Sequence, residues 1–302
     1  MRPHNLALAN HLEGIAYYET VLEVDNFSYR SDAYRAAAKL FRDVRYEVLT
    51  AFEAKSYKGV GEKISERVEQ FALTGTSDRL DELRSMDLER DEVVIDLMLN
   101  REITIVRANE LYDDGVRSLE DLTDQLTSQE LLYLANIQRY SQVIPRQEIY
   151  TLEKDIRSKL PANMRVIAVG AYRRGQPATE VDLLVTHTSK AQLQIGHVLR
   201  HLDDLFVDTL TEPERAIDSF RGVYNTNRVV NIRLFREEHY PLALFHMTGP
   251  YPYVTEMRLH AEQLGLHLNE YRLIQNDSIP LRSERELYYA LDMDYVLPSE
   301  RR

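Results

Sequence analysis

Apolar positions recur every three to four residues through the first half of the chain. This spacing predicts amphipathic helices over 5–24, 32–50, 62–73, 79–86, 91–99, 103–114, 118–125, 128–140 and 146–160. Beyond residue 164 the pattern changes to short β-branched and leucine-rich runs. MRVIAVG (164–170), EVDLLVTH (180–187), RVVNIRLF (228–235) and PLALFHMTG (241–249) read as strands. A helical half followed by a sheet-bearing half predicts an α+β chain of at least two domains. No low-complexity tract and no fixed-period repeat interrupts the pattern.

Composition narrows the class without naming a function. The chain has 302 residues, 44% hydrophobic and 28% charged, which suits a globular protein of two to four compact units. Its apolar runs fall short of the roughly 20 residues of a membrane span, and MRPHNLALANHLEG lacks the layout of a secretory signal. Without cysteine there is neither a disulfide nor a thiolate metal site. The net charge of −12 is unexpected for a protein that grips a polyphosphate, but it is unevenly placed. Residues 1–80 carry 12 acids and 11 bases, 81–150 carry 16 and 7, and 151–302 carry 21 and 19. The deficit lies in the middle.

Candidate chemistry gathers in GAYRRGQPATEVDLLVTH (170–187), a Gly-led turn, two arginines and two acids one residue apart. Glu180 and Asp182 at i, i+2 in a strand emerge on one face, as a shared divalent-metal site requires. A solvated strand edge would show the same spacing. In the helical half, Gly59 and Gly61 bracket Val60 just before an amphipathic helix, with Lys63 in its first turn. Glycines permit close backbone approach, and the helix N-terminus offers N–H groups and a positive dipole end to a phosphate. A plain helix–helix corner has the same sequence.

Taken in order, several segments resemble the X family of DNA polymerases, the polymerase-beta-like enzymes. They are DAYRAAAKLF (32–41), EAKSYKGVGEKISERV (53–68), GVRSLEDL (115–122), VIPRQEIY (143–150), GAYRRG (170–175), VDLLVTH (181–187), VVNIRLF (229–235), MTG (247–249), EMRLHA (256–261), LNEY (268–271) and DYVLP (294–298). The resemblance implies an amino-terminal helical DNA-binding (lyase-like) domain at 1–80, a helical fingers-like domain at 81–143, a nucleotidyltransferase palm with a mixed β-sheet at 144–243, and a small α/β nucleotide-binding subdomain at 244–302. It also implies gapped or nicked DNA and a dNTP as partners, Mg²⁺ or Mn²⁺ as cofactor, no membrane, and an intracellular setting such as the nucleus or another DNA-replication compartment.

The same resemblance assigns roles. Three family aspartates correspond to Glu180, Asp182 and Asn231, of which Glu180 and Asp182 are the expected metal ligands. An amide at 231 offers a neutral oxygen and cannot accept the primer 3′-hydroxyl proton. The triphosphate-binding Gly-Ser becomes Gly170-Ala171, while Arg174 matches a phosphate-binding arginine. His246 and Met247 replace an aromatic pair before Thr248 and Gly249, Val254 replaces an Asn facing the base, and Arg258 matches the template-side arginine. The GVG turn with Lys63, Tyr34 in the AYR match, and Arg67 form the expected DNA contacts. Arg67 replaces the lyase lysine, and a guanidinium forms no Schiff base. A second hairpin that would hold the primer strand reads Glu102-Ile103-Thr104-Ile105, without glycine.

His197 and His201 fall at i, i+4, a metal-ligand spacing, yet with no third ligand nearby they read as ordinary helix surface. The leading expectation is a DNA-repair nucleotidyltransferase homologue with weakened or lost catalysis that binds gapped DNA or DNA ends. A slow gap-filling polymerase using Glu180 and Asp182 is the first alternative. A scaffold that meets a basic protein through residues 81–143 is the second.

Overall fold

A computed structural model describes residues 3–22, 27–98, 103–122, 142–189, 191, 193–210 and 217–302. The chain divides into two units, 2–138 and 139–302.

The first unit is helical. α1 (Pro3–Val21) and α2 (Phe27–Asp43) share a core of Leu8, Leu12, Ile15, Ala37, Ala38 and Phe41. The helix predicted over 32–50 stops at Asp43, because side chains capture the backbone that follows. Asn5 donates to the Tyr46 carbonyl (2.8 Å) and accepts from the Val48 N–H (3.0 Å), while the Glu53 carboxylate accepts from the Leu49 N–H (2.8 Å). Thr50 then opens α3 (Ala51–Lys55) with a capping box. α4 (Glu62–Thr74), α5 (Asp78–Ser85), α6 (Leu88–Met98) and α7 (Ile105–Asp113) follow, and their buried residues join the same core as far as Leu122. Residues 119–122 form a single 3₁₀ turn. The remainder of the helix predicted over 118–125, the helix predicted over 128–140, and Glu102 lie outside the described residues.

The second unit opens with α8 (Arg146–Lys159), followed by β1 (Met164–Ala168), α9 (Gly170–Arg173), β2 (Val181–His187), α10 (Ile195–Leu199), β3 (Phe206–Thr209), β4 (Ser219–Tyr224) and β5 (Arg228–Arg236). These strands form one mixed sheet in the order β1-β2-β5-β4-β3, with β2 and β5 parallel. Alternation along β2 serves both faces: Val181, Leu183 and Val185 join the core with Ile149, Leu152 and Ile156 of α8, and Leu184 joins the other. Asp182 shares the face of Leu184.

PLALFHMTG is not a strand. It forms α11 (Tyr240–Thr248), with Pro241 at its first turn and Gly249 at φ +61 as its stop. Seven of its nine residues are buried, so the run carries no period that separates a buried helix from a buried strand. α12 (Tyr251–Gln263), a three-stranded sheet of β6 (His267–Leu268), β7 (Leu273–Ile274) and β8 (Ser278–Ile279), and α13 (Glu284–Ala290) complete the unit. Among the described residues no helix is long and apolar enough to cross a membrane.

Candidate active site

Strand register assembles a row of polar side chains on the larger sheet. Asp182 on β2 lies opposite Asn231 on β5, and Asn231 lies opposite Arg221 on β4. Glu180 sits just before β2. The Asn231 amide donates through Nδ2 to Glu180 Oε2 and to Asp182 Oδ1, each at 3.0 Å. Arg221 Nη2 donates to Glu180 Oε1 at 3.1 Å. Burial pushes the Asp182 carboxyl up to about 6. The amide hydrogen bond from Asn231 opposes that rise, and the Glu180 charge adds to it.

The Gly-led turn is shaped by this carboxylate. Gly170 has φ +57, and a Cβ there would stand 2.2 Å from Asp182 Oδ2. Only glycine accepts both conditions. The Val169 N–H donates to the Asp182 carbonyl (2.8 Å), which fixes the turn against β2. Both arginines of the turn engage Thr248: Arg173 Nη1 donates to its hydroxyl (2.6 Å) and Arg174 Nη1 to its carbonyl. Arg173 also pairs with Glu284, whose Oε1 accepts from Arg301 as well at 3.1 Å. Arg301 is wholly buried, with the rings of Phe245, Tyr253, Tyr288 and Tyr295 5.3–5.9 Å from its guanidinium.

The remaining predicted nucleotide contacts are divided between the turn and the interior. Ala171 is half-buried in the turn beside Gly170. Gly249 lies near Arg174, whose Nη1 would be 3.4 Å from a Cβ there. Arg258 is 1% exposed and pairs with the fully buried Glu270 at 3.2 Å, so it faces the interior, as does Val254. His246 is buried beside Arg258.

Glu180 and Asp182 are the two side chains that would hold a divalent ion here. Such an ion requires the 231 amide to turn its oxygen inward in place of its nitrogen, a rotation of the same planar group. Position 231 would offer an ion only the neutral amide oxygen of Asn231. Among the described residues no three acid or histidine side chains gather in a metal-binding group. His197 Nδ1 engages the Gln194 backbone, and His201 lies past the end of α10.

In the helical unit the GVG turn takes the predicted form. Gly59 has φ +94, Gly61 caps α4 without a side-chain hydrogen bond, and the space around both is open. Lys63 is exposed in the first turn, while Lys55 pairs with Glu62 across the hairpin. Tyr34 is 7% exposed and belongs to the core. Arg67 lies beside it and is held by Asp78 at 2.9 Å and Gln70 at 3.4 Å. In the second turn Thr104 caps α7, and Ile105 fills the space where Gly14 lacks a Cβ, 2.6 Å from where that atom would stand.

A mixed sheet that presents two carboxylates beside a Gly-led, arginine-bearing turn is the arrangement that the sequence resemblance implies. Comparison with known proteins supplies the family. The DNA polymerase beta thumb family matches residues 243–302. The chain is 25% identical over 331 residues to DNA polymerase lambda of Rattus norvegicus, covering 99% of this chain and 56% of that protein. It is 30% identical over 143 residues to Repair DNA polymerase X of African swine fever virus (isolate Tick/South Africa/Pretoriuskop Pr4/1996), covering 45% of this chain and 80% of that one. The chain belongs to the DNA polymerase X family, and it spans about half the length of the rat relative.

Sequence reasoning missed Arg221, Glu284 and Arg301. Arg221 had a usable signal: the turn at 225–227 joins two β-rich runs, and a hairpin centred there sets residue 221 against 231. Glu284 and Arg301 had none, since their partners lie 111 and 17 residues away.

Proposed function

We propose that this chain is a DNA-repair nucleotidyltransferase homologue whose polymerase chemistry is weakened or lost, and whose retained activity is binding to gapped DNA or DNA ends. The observation that carries this reading is the Asn231 amide, which hydrogen-bonds both palm carboxylates at the position where the resemblance puts a third aspartate. An amide does not take a proton from a primer hydroxyl, and it removes one negative charge from a site meant to hold cations. A divalent ion held by Glu180 and Asp182 would stabilise charge on a bound triphosphate. In this reading Arg174, on leaving the Thr248 carbonyl, and the Gly170 backbone meet that triphosphate, and Ala171 brings no hydroxyl to it.

DNA contact falls to Gly59, Gly61 and Lys63 at the α4 hairpin, with Tyr34 and Arg67 shaping it from behind. The four-part division at 80, 143 and 243 follows from the same reading. The packed Ile103-Thr104-Ile105 turn argues against a primer-strand phosphate there.

Primer extension on a one-nucleotide gap with Mg²⁺ or Mn²⁺ tests the proposal. The wild-type chain is expected to incorporate little or no dNTP while binding the gapped DNA. Asn231→Asp should raise the rate by about a hundredfold, and Asp182→Ala should abolish that gain. The convergence of Glu180 and Asp182 favours a slow gap-filling polymerase as the second reading, and robust wild-type extension would establish it. Absence of DNA binding would favour a protein-binding role for the acidic residues 81–143.

A further inference from the structure

The palm carboxylates are engaged by the protein's own groups. Glu180 Oε1 accepts from Arg221 and Oε2 from Asn231, Asp182 Oδ1 accepts from Asn231, and Asp182 Oδ2 is pressed against Gly170. Any divalent ion entering here meets donors already in place. One of them carries a full positive charge.

We infer that Arg221 is a built-in cation of the palm, which occupies one side of Glu180 and lowers the affinity of the two carboxylates for a divalent ion. This rests on the reading of Glu180 and Asp182 as the metal-binding pair. Three observations carry it. The Arg221 guanidinium stands 3.1 Å from the carboxylate, with side chains only 29% and 19% exposed, so water screens the pair weakly. Its place is set by the backbone, since Arg221 lies opposite Asn231 within an unbroken six-residue antiparallel ladder between β4 and β5. Glu180, Asp182 and Arg221 together sum to −1 and the two acids alone to −2, while Arg174, the other cation acting on Asp182, is unchanged by the substitution, so removing Arg221 strengthens the field that draws in a divalent cation.

Arg221 is therefore a positioning residue. It orients Glu180 toward Asn231 and substitutes for part of the charge that an ion would bring. The combination with Asn231 has a definite logic: one group supplies charge and the other bridges the two acids, so the site holds its shape without metal.

The test is Mn²⁺ binding to the 302-residue chain, without DNA or nucleotide, followed by the electron paramagnetic resonance signal of free Mn²⁺. Arg221→Met keeps an unbranched apolar stem and should bind Mn²⁺ about tenfold or more tightly than wild type. Arg221→Gln is the second neutral variant and should do the same. Arg221→Lys keeps the charge and should remain within about twofold of wild type. Asp182→Ala placed in the Arg221→Met background should remove the tightened site. Unchanged or weaker binding in the neutral variants overturns the role of Arg221. Tightened binding that survives Asp182→Ala puts the ion elsewhere and overturns the palm reading itself.

Discussion

Replacing Glu284 by Gln should be among the most damaging single changes in the carboxy-terminal unit. Glu284 takes two hydrogen bonds from Arg173 and one from Arg301, with side-chain exposures of 6% for Glu284, 20% for Arg173 and 0% for Arg301. Glutamine keeps the shape and one acceptor oxygen but removes the negative charge that, among the described residues, pairs with Arg301. An arginine with no exposure cannot recover hydration, and breaking a buried pair from one side costs about 3–5 kcal/mol. The rings around Arg301 and the Val296 carbonyl at 3.3–3.4 Å retain part of its stabilisation, which places the expected loss near the lower end, about 3 kcal/mol. For a unit of this size that lowers the unfolding midpoint by about 6–12 °C. Arg301→Met should cost less, because Glu284 then keeps Arg173. The double variant should cost less than the sum of the two, since removing both partners spares each the penalty of standing alone. Urea and thermal unfolding of the full chain, followed by near-ultraviolet circular dichroism of the tyrosines, measures all three. A Glu284→Gln protein as stable as wild type, or strict additivity in the double variant, would show that Glu284 and Arg301 do not stabilise the unit as a coupled pair.

Three further outcomes are expected. Burial holds His11 down at about 4, so the folded chain binds fewer protons than the unfolded chain between pH 4 and 6.5, and about 3 kcal/mol of stability should be lost as pH falls through that window; His11→Gln should flatten the urea midpoint across pH 4–7, and an unchanged slope would refute this. Gly170→Ala should cost more than Gly175→Ala, because both residues have positive φ but only the first meets Asp182, while open space surrounds the second; equal losses in unfolding would contradict the close approach. Borohydride trapping on an incised abasic site should yield no adduct, because Arg67 carries no nucleophilic amine; a covalent product mapped to Lys58 or Lys63 would overturn that reading.

The sequence was most informative where local chemistry decides structure. Among the described residues of the first unit, α1 and α4 to α7 followed from apolar spacing, whereas the short α3 did not. The GVG turn followed from its glycines, and the alignment of Glu180 with Asp182 followed from strand periodicity. Legibility failed where a tertiary contact overrides the pattern. Asn5 and Glu53 capture backbone that helical periodicity had claimed for α2. A run buried on nearly every side hid α11, and β3, with four residues, is too short to announce itself, whereas β4 was legible from the turn that joins it to β5. Arg258 shows the limit of matching by position, since the residue is present but is spent on Glu270 in the interior.

The parallel pairing of β2 with β5 also bears on when the site comes into being. Asp182 and Asn231 are neighbours across the sheet but 49 residues apart in the chain, and β3 and β4 are made between them. During synthesis the ribosome completes the first unit before the first strand of the larger sheet emerges. The carboxylates must then wait, close together and without their amide bridge, until β5 has left the exit tunnel. Non-local pairing of this kind is slow to nucleate. Nascent chains stalled before residue 228 should therefore hold a protease-resistant helical unit and an unformed palm, and release of β5 should close the sheet in a single late step.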